Sequence, residues 1–243
     1  RGGEGPERGG EVRGTREGRS SGGERKKNHK AKNAVAGDVR IIGGQYKRRI
    51  VSFIDAEGLR PTPDRLRETL FNWLIADIHD AKVLDSCAGS GVLGFEALSR
   101  GAAHTTFIEV SSAQVTMLRQ SAEQLRLDAS NYQIIQGTAE QVLTQNQTIQ
   151  RHFDIVFIDP PYAQDLWQPI LTALIKQSLI NTETLIYLEA DKDLTLQLDQ
   201  LVASINESAE PLADIAQSLI RFECLKQTKV GQVVAGLYQL SAS

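Results

Sequence analysis

The sequence contains little cysteine and histidine and has no long apolar run. Its two cysteines, Cys87 and Cys224, supply neither a disulfide framework nor the spacing of a metal site, and its four histidines are scattered. No segment approaches the about 18 consecutive apolar residues of a membrane-spanning helix, and the polar N-terminal segment has no apolar signal-peptide core. We therefore expect a cytoplasmic protein that binds no metal ion and does not enter a membrane.

The remaining composition is that of a globular protein whose charge is unevenly distributed. Hydrophobic residues make up 41% and charged residues 23% of the 243 residues. Although the net charge is −3, residues 1–67 contain 17 Lys and Arg against 9 Asp and Glu, and residues 68–243 contain 10 against 21. A basic front on an acidic body indicates an anionic partner at one end, with nucleic acid as the leading candidate. A tail that only solubilises the protein is the alternative.

Changes in composition divide the chain into three parts. Residues 1–36 are rich in Gly, Arg, Glu and Lys and cannot bury enough apolar surface to offset their ordering entropy. We therefore predict a disordered basic tail over 1–36, an N-terminal extension over 37–78 and the main domain over 79–243.

The extension carries signals for a β-hairpin followed by a helix. In "VRIIGGQYKRRIVSF" two β-branched runs flank Gly43-Gly44, which predicts a hairpin with three cations on its second arm. A helix is predicted over 63–77, with Thr62 as its cap and Pro63 in its first position. Arg65 and Arg67 are expected to lie off its apolar stripe.

From residue 81 onward, short apolar runs alternate with helical patterns. Five strands are predicted, near 82–86, 104–109, 132–136, 153–158 and 184–189. The last segment, "SLIRFECLKQTKVGQVVAGLYQL", predicts two strands joined by a turn around 229–231. This order predicts an α/β fold with a mostly parallel sheet, helices on both faces and an antiparallel hairpin at one edge.

The first predicted strand runs into a glycine-rich loop. In "VLDSCAGSGVLGFEALSRG", Gly89, Gly91 and Gly94 satisfy the G-x-G-x-x-G pattern of dinucleotide sites. Here, however, Asp85 ends the strand as a carboxylate directed into the crevice, where it would repel a pyrophosphate and attract a cation. S-adenosylmethionine has a sulfonium, an ammonium and no phosphate, so the loop favours this cofactor over a nicotinamide or flavin dinucleotide.

Two further residues near this loop have distinct interpretations. Glu109 ends the second strand, where a carboxylate can accept from both ribose hydroxyls of an adenosine. That role is common to dinucleotide and adenosylmethionine sites, and a surface acid is the alternative. Cys87 is interpreted as a small core residue rather than a nucleophile.

The tetrapeptide Asp159-Pro160-Pro161-Tyr162 follows the fourth strand of the main domain. The two prolines hold the chain extended and offer no N–H, so the Asp159 carboxylate and the Pro160 carbonyl form a rigid pair of acceptors. Such a pair matches the two hydrogens of an exocyclic amine, whose lone pair would then be aimed at a methyl carbon. Tyr162 offers a ring on which a base can stack. The motif therefore predicts methyl transfer to an amine.

Together these motifs resemble the RsmD family of class I methyltransferases. The resemblance rests on "VRIIGGQYKRRIVSF", "LRPTPDRLRETLFNWL", "VLDSCAGSGVLGFEALSRGA", "FIDPPY" and "KVGQVVAGLYQL", and it covers about 39–240. It implies a Rossmann-like fold with a seven-stranded sheet, and S-adenosylmethionine as cofactor. It also implies methylation of the N2 amine of a guanine in 16S ribosomal RNA, within a small ribosomal subunit or its assembly intermediate, by a monomer.

The resemblance also implies roles for individual residues. The target amine and base would be held by Asp159, Pro160 and Tyr162. The cofactor would be bound by Asp85, Ala88, Gly89, Ser90, Gly91, Glu109, Thr138, Ala139 and Asp159, with Thr138 standing where relatives carry Asp or Asn toward the adenine. The RNA would be contacted by Lys47, Arg48, Arg49, Arg60, Arg65 and Arg67, which can neutralise phosphates without reading sequence.

Several other functions compete with this prediction. Within enzymes, the target amine could be adenine N6 in RNA or DNA, or a protein glutamine amide. A third enzymatic alternative is an oxidoreductase, which would require nicotinamide binding. Outside catalysis, the chain could be an RNA-binding ribosome-assembly factor. The intact Asp159–Tyr162 motif favours the catalytic alternative.

Overall fold

The protein combines a β-hairpin with a seven-stranded α/β domain. The computed structural model describes residues 35–54, 61–145, 149, 152–160, 167–191, 193–207 and 220–242. The strands are β1 Val35–Arg40, β2 Ile50–Ile54, β3 Lys82–Asp85, β4 His104–Glu109, β5 Tyr132–Gln136, β6 Ile155–Ile158, β7 Leu185–Ala190, β8 Ile220–Val230 and β9 Val233–Ala242. The helices are α1 Asp64–Trp73, α2 Val92–Ser99, α3 Ser112–Gln124, α4 Ala139–Gln145, α5 Trp167–Lys176 and α6 Leu194–Glu207.

The main sheet has the strand order β5-β4-β3-β6-β7-β9-β8. The first five of these strands are parallel, and β9 and β8 are antiparallel to their neighbours. The predicted fold class and all five predicted strands of the main domain are confirmed. Because the strand order reverses between β3 and β6, their carboxyl ends flank a crevice of the type in which α/β proteins bind ligands.

The sheet is covered on both faces, which explains why its central strands are almost entirely apolar. Successive residues of a strand point to opposite faces. One face packs against α4, α5 and α6 through a cluster that includes Val156 and Ile186. The other face packs against α1, α2 and α3 through a cluster that includes Phe157 and Tyr187.

The N-terminal hairpin differs from its predicted form. Its strands β1 and β2 pair in an antiparallel ladder, but the connection runs over residues 41–49. Lys47, Arg48 and Arg49 therefore lie in this connection, and their predicted place on the second arm is wrong. The reason is that Gly43 bonds to α2, its amide donating to Glu96 and its carbonyl accepting from the Ser99 hydroxyl, so the chain does not turn back at Gly43-Gly44.

Gly44 shows how closely this connection approaches α2. It has φ +78°, and a Cβ atom built at this position would lie 2.0 Å from the carbonyl oxygen of Ser99. The next amide, that of Gln45, donates to the same carbonyl at 2.7 Å. The Tyr46 amide donates to the Ser99 hydroxyl at 2.8 Å. Only glycine fits this approach, which places the hairpin beside the helix that follows the glycine loop.

Helix α1 is shorter than predicted and begins differently. It spans Asp64–Trp73, with Pro63 at the N-cap and no side-chain cap bond. The prediction that Thr62 caps this helix is therefore wrong, because its hydroxyl lies within hydrogen-bonding distance of the Asp159 and Glu189 carboxyl groups instead. Residues 74–77 continue as a turn.

The position of Arg67 on α1 also differs from the prediction. Its side chain is fully buried, and its guanidinium contacts Asp64, Glu96 and the carbonyls of Arg40 and Thr62. It therefore does not lie off the apolar stripe facing solvent, and it cannot contact RNA phosphates. The hairpin covers this position, a tertiary effect that helical periodicity does not contain.

Within the described ranges, every helix is too short or too polar to cross a lipid bilayer.

Candidate active site

The glycine loop connects the end of β3 to the start of α2. Gly91 has φ 75°, in the left-handed region, and caps α2. A Cβ atom at Gly91 would lie 2.4 Å from Cδ2 of Leu118, so the loop packs tightly against α3. Ala88 and Ser90 are buried in the same loop. The packing against α3 therefore holds the backbone of this loop in place.

Asp85 ends β3 and is buried. It is 2% exposed, and its Oδ2 accepts from the amide of Gly94 in α2 at 3.1 Å. Burial raises the pKa of Asp85 to about 8, the Gly94 bond opposes this rise, and the Glu109 carboxylate adds to it. The carboxyl predicted to be directed into the crevice is therefore a buried group whose neutral form is favoured by desolvation.

Glu109 ends β4 and connects the loop to the neighbouring strand. Its Oε2 accepts from the amide of Gly89 at 2.8 Å, and its Oε1 accepts from the amide of Ser111 at 3.1 Å. A carboxylate oxygen can accept more than one hydrogen bond, so each oxygen retains acceptor capacity. The side chain is only half-buried, which makes that capacity available to a ligand hydroxyl.

Asp159 follows β6 directly and lies at the same edge of the sheet. Its Oδ2 accepts from the hydroxyl of Thr62 at 3.1 Å. The residue is partly exposed, yet desolvation of its carboxyl and the nearby charge of Glu189 raise its pKa well above the usual range. The Thr62 bond opposes this rise, and Asp85 adds to it. The carboxyl ends of β3, β4 and β6 therefore bring three acids together.

The contacts of Glu189 and Thr62 at this edge were not predicted from the sequence. Glu189 in β7 is buried, and its Oε2 lies 3.4 Å from the Thr62 hydroxyl and 2.9 Å from the Tyr187 hydroxyl. A signal for Glu189 was available, because it ends an apolar strand that was predicted parallel to the strand before Asp159. No comparable signal existed for Thr62.

The remaining predicted site residues have different environments. Thr138 is exposed and its hydroxyl accepts from the amide of Gln141 at 3.4 Å, while Ala139 is buried at the start of α4. Pro160 is buried, and Tyr162 lies outside the described residues. Burial and the charges of Asp159 and Asp85 raise the pKa of the Cys87 thiol, which disfavours the nucleophilic thiolate.

Comparison with known proteins identifies the family. The family model described as Conserved hypothetical protein 95 matches residues 39–211. Ribosomal RNA small subunit methyltransferase D of Haemophilus influenzae is 41% identical over 160 residues, covering 66% of this chain and 82% of the relative. The chain belongs to the RsmD family. The Escherichia coli K12 protein of the same name is 42% identical over 162 residues, covering 67% of this chain and 79% of that relative.

Solved structures agree with this assignment to the RsmD family. The yhhF structure from Escherichia coli has a TM-score of 0.66 and 35% identity, and it covers 85% of this chain and 100% of its own. A structure from Haemophilus influenzae has a TM-score of 0.62 and 33% identity, covering 84% of this chain and 98% of its own. The resemblance identified from the sequence is thereby confirmed.

In this RsmD-family chain, the predicted RNA-binding cations differ in their environments. Lys47, Arg48 and Arg49 are exposed in the hairpin connection, and Arg49 also donates to the carbonyl of Gln124. Arg65 is exposed on α1. Arg67 is excluded by its burial, and Arg60 lies outside the described residues.

The described residues contain no group of three or more His, Cys, Asp or Glu side chains arranged to hold a metal ion.

Proposed function

We propose that this RsmD-family protein transfers the methyl group of S-adenosylmethionine to the N2 amine of a guanine in 16S ribosomal RNA. The observation that carries the proposal is the position of Asp159, which follows β6 at the same sheet edge as the Asp85 glycine loop. The names of the relatives, which are ribosomal RNA small subunit methyltransferases, support the substrate class.

The acidic edge suits a cationic ligand. Burial raises the pKa values of both Asp85 and Asp159, so a positive group beside them would stabilise their ionised forms. When bound, S-adenosylmethionine supplies a methyl group on a sulfonium, a carbon activated toward displacement. We assign its binding to Asp85, Ala88, Gly89, Ser90, Gly91, Glu109, Thr138, Ala139 and Asp159. In this assignment Glu109 accepts from the ribose hydroxyls and Thr138 contacts the adenine.

The chain's contribution to the reaction is mainly to position the amine. The Asp159 carboxylate and the Pro160 carbonyl accept the two N–H groups, and the Tyr162 ring stacks on the base. Held in this way, the nitrogen lone pair is directed at the incoming methyl carbon. Methylation makes the amine acidic, and Asp159, with its raised pKa, is suited to receive the released proton near neutral pH.

The N-terminal part of the chain would contact the RNA. In this proposal residues 37–78 form an RNA-facing extension, residues 79–243 form the catalytic domain, and the basic segment 1–36 adds nonspecific affinity for phosphate. Lys47, Arg48, Arg49, Arg60 and Arg65 would neutralise phosphates and position the target. The enzyme would act as a cytoplasmic monomer on a small ribosomal subunit or its assembly intermediate.

Labelled-methyl transfer tests this function. Small subunits and naked 16S RNA from cells that lack the gene are incubated with the protein and labelled S-adenosylmethionine, and the RNA is digested to nucleosides for mass spectrometry. The expected product is N2-methylguanosine, with greater incorporation into the particle than into naked RNA. Labelled N6-methyladenosine would assign the amine to adenine. An absence of labelled nucleoside with either substrate would reject the enzymatic function.

A further inference from the structure

The hydroxyl of Thr62 lies between two carboxyl groups of the main sheet. Its Oγ1 is 3.1 Å from Oδ2 of Asp159 and 3.4 Å from Oε2 of Glu189. Thr62 is separated from these residues by 97 and 127 positions along the chain, so only the tertiary fold brings them together. The side chain is 3% exposed, which makes the contact an internal one.

The strand register explains why the two carboxyls face the same hydroxyl. In the parallel pair β6–β7, Phe157 is paired with Tyr187, and their rings meet edge to face. Side chains two residues apart in extended chain lie on the same face, which places Asp159 beyond Phe157 and Glu189 beyond Tyr187. This face is the one covered by α1, and Thr62 lies just before that helix.

A hydroxyl has one hydrogen, so it can donate fully to only one of the two acids. The shorter distance is to Asp159, which makes Oδ2 of Asp159 the favoured acceptor. Among the described residues, no donor contacts the other oxygen of this carboxyl, Oδ1. The Tyr187 hydroxyl donates to Oε2 of Glu189 at 2.9 Å and so orients the second acid.

We propose that Thr62 is a positioning residue for methyl transfer, whose hydroxyl holds Oδ2 of Asp159 so that Oδ1 faces the substrate amine. This inference rests on the proposed function, because it assigns a use to Oδ1, the oxygen of the catalytic carboxylate that Thr62 does not contact. Without the hydroxyl, the charge of Glu189 would still act on Asp159 but the opposing bond would be lost, which favours the protonated form of Asp159 and turns it from acceptor to donor.

The electrostatics of the site point in the same direction. The groups that face Asp159 from the surrounding elements are Asp85 and Cys87 near β3, Glu189 in β7 and Thr62 before α1. Burial raises the pKa of Asp159 most, Glu189 and Asp85 raise it further, and the Thr62 bond is the contact that lowers it. Removing this bond therefore raises the pKa further and leaves less of the ionised acceptor at neutral pH.

The test compares hydroxyl-free and hydroxyl-bearing substitutions in the full chain. Thr62→Val keeps the shape and removes the hydroxyl, and Thr62→Ser keeps the hydroxyl. Thr184→Val is the matched control, because Thr184 is equally buried but its hydroxyl donates to the carbonyl of Phe153 at the opposite edge of the sheet. Each variant is assayed by labelled-methyl transfer onto small subunits from cells that lack the gene, across pH 6 to 9.

We expect Thr62→Val to lower kcat at pH 7 by about tenfold or more. The KM values for S-adenosylmethionine and for the small subunit should stay within about twofold of wild type. The acid limb of its kcat profile should move to higher pH, so that activity recovers partly in alkaline buffer. Thr62→Ser should restore most of the loss, and Thr184→Val should lower the melting temperature without moving the pH profile.

The possible outcomes separate this inference from the proposed function. An inactive wild type would reject the proposed function itself and this inference with it. An active wild type with Thr62→Val unchanged in kcat and pH profile would overturn the positioning role alone. Equal losses in Thr62→Val and Thr62→Ser would also overturn it. If Thr62→Val is not folded by its melting curve, Thr62→Ala is measured in its place, under the same criteria.

Discussion

Arg67 and Glu96 form a fully buried ion pair, with Nη1 of Arg67 3.3 Å from Oε2 of Glu96. Glu96 also accepts from the amides of Ile42 and Gly43, each at 2.9 Å, and from Nε of Arg100 at 3.0 Å. The pair thus joins α1, α2 and the hairpin connection at one point. Removal of either partner breaks the buried pair and leaves the remaining charge with one weaker arrangement, Glu96 with the partly exposed Arg100 or Arg67 with the exposed Asp64.

Substitution within this pair should destabilise the protein strongly. We expect Arg67→Met or Glu96→Gln to reduce the free energy of unfolding by about 3–5 kcal/mol, the usual cost of removing one partner of a buried ion pair. The double variant should lose clearly less than the sum of the two single variants. Urea unfolding of the three variants measures this directly, and a strictly additive double variant would show that the two residues do not interact.

Asp85 should make the ligand-free protein less stable as pH rises. Its pKa is about 8 when folded against 3.8 as a reference, so its contribution to stability is complete at low pH and is lost as pH increases toward about 8. Asp85→Asn mimics the protonated acid and should raise the melting temperature at pH 8 by at least about 2–4 °C, the effect of about 1 kcal/mol. Thermal melts at pH 5 and pH 8 test this.

The same variant provides a control on the cofactor. Wild-type affinity for S-adenosylmethionine should rise relative to that for S-adenosylhomocysteine between pH 6 and pH 8, because only the former carries a sulfonium charge beside the acids. In Asp85→Asn this relative increase should be smaller. A ratio that does not change with pH in the wild-type protein would show that the acids do not sense the sulfonium.

Asp159 should be required for turnover and should contribute only a small part of the affinity for the cofactor. We expect Asp159→Ala to abolish methyl transfer while the Kd for S-adenosylmethionine changes by only about a few-fold, since the principal lost contacts are those to the amine. Calorimetric titration and labelled-methyl transfer measure the two quantities. Turnover comparable to wild type in this variant would remove Asp159 from its proposed role.

The hairpin cations should contribute to RNA binding through charge. Reversal of Arg48 and Arg49 to Glu should weaken binding and reduce the slope of log K against log salt by about 1 to 2, the value for two lost phosphate contacts. Lys82→Glu is the control, because Lys82 is exposed at the start of β3, opposite the carboxyl edge. If the control alters the slope as much as the double reversal, the hairpin is not the RNA surface.

The sequence predicts those site residues that lie at the carboxyl ends of strands. Asp85, Glu109 and Asp159 each end or follow a short apolar run, and parallel strands bring their carboxyl ends to one edge. The burial of Arg67 could not be obtained in this way, because periodicity assigns a helical face but not what covers it. The contacts of Thr62 depend in the same way on distant parts of the chain.

The hairpin is held against α2 largely through its own main-chain amides, which bond to Glu96 and to Ser99. An attachment of this kind places few demands on the identity of the outward side chains. The residues of the connection that face solvent can therefore drift over evolutionary time, or be redesigned, without detaching the hairpin from the domain. In the proposed function, affinity for RNA phosphates and attachment of the hairpin are in this way separable traits.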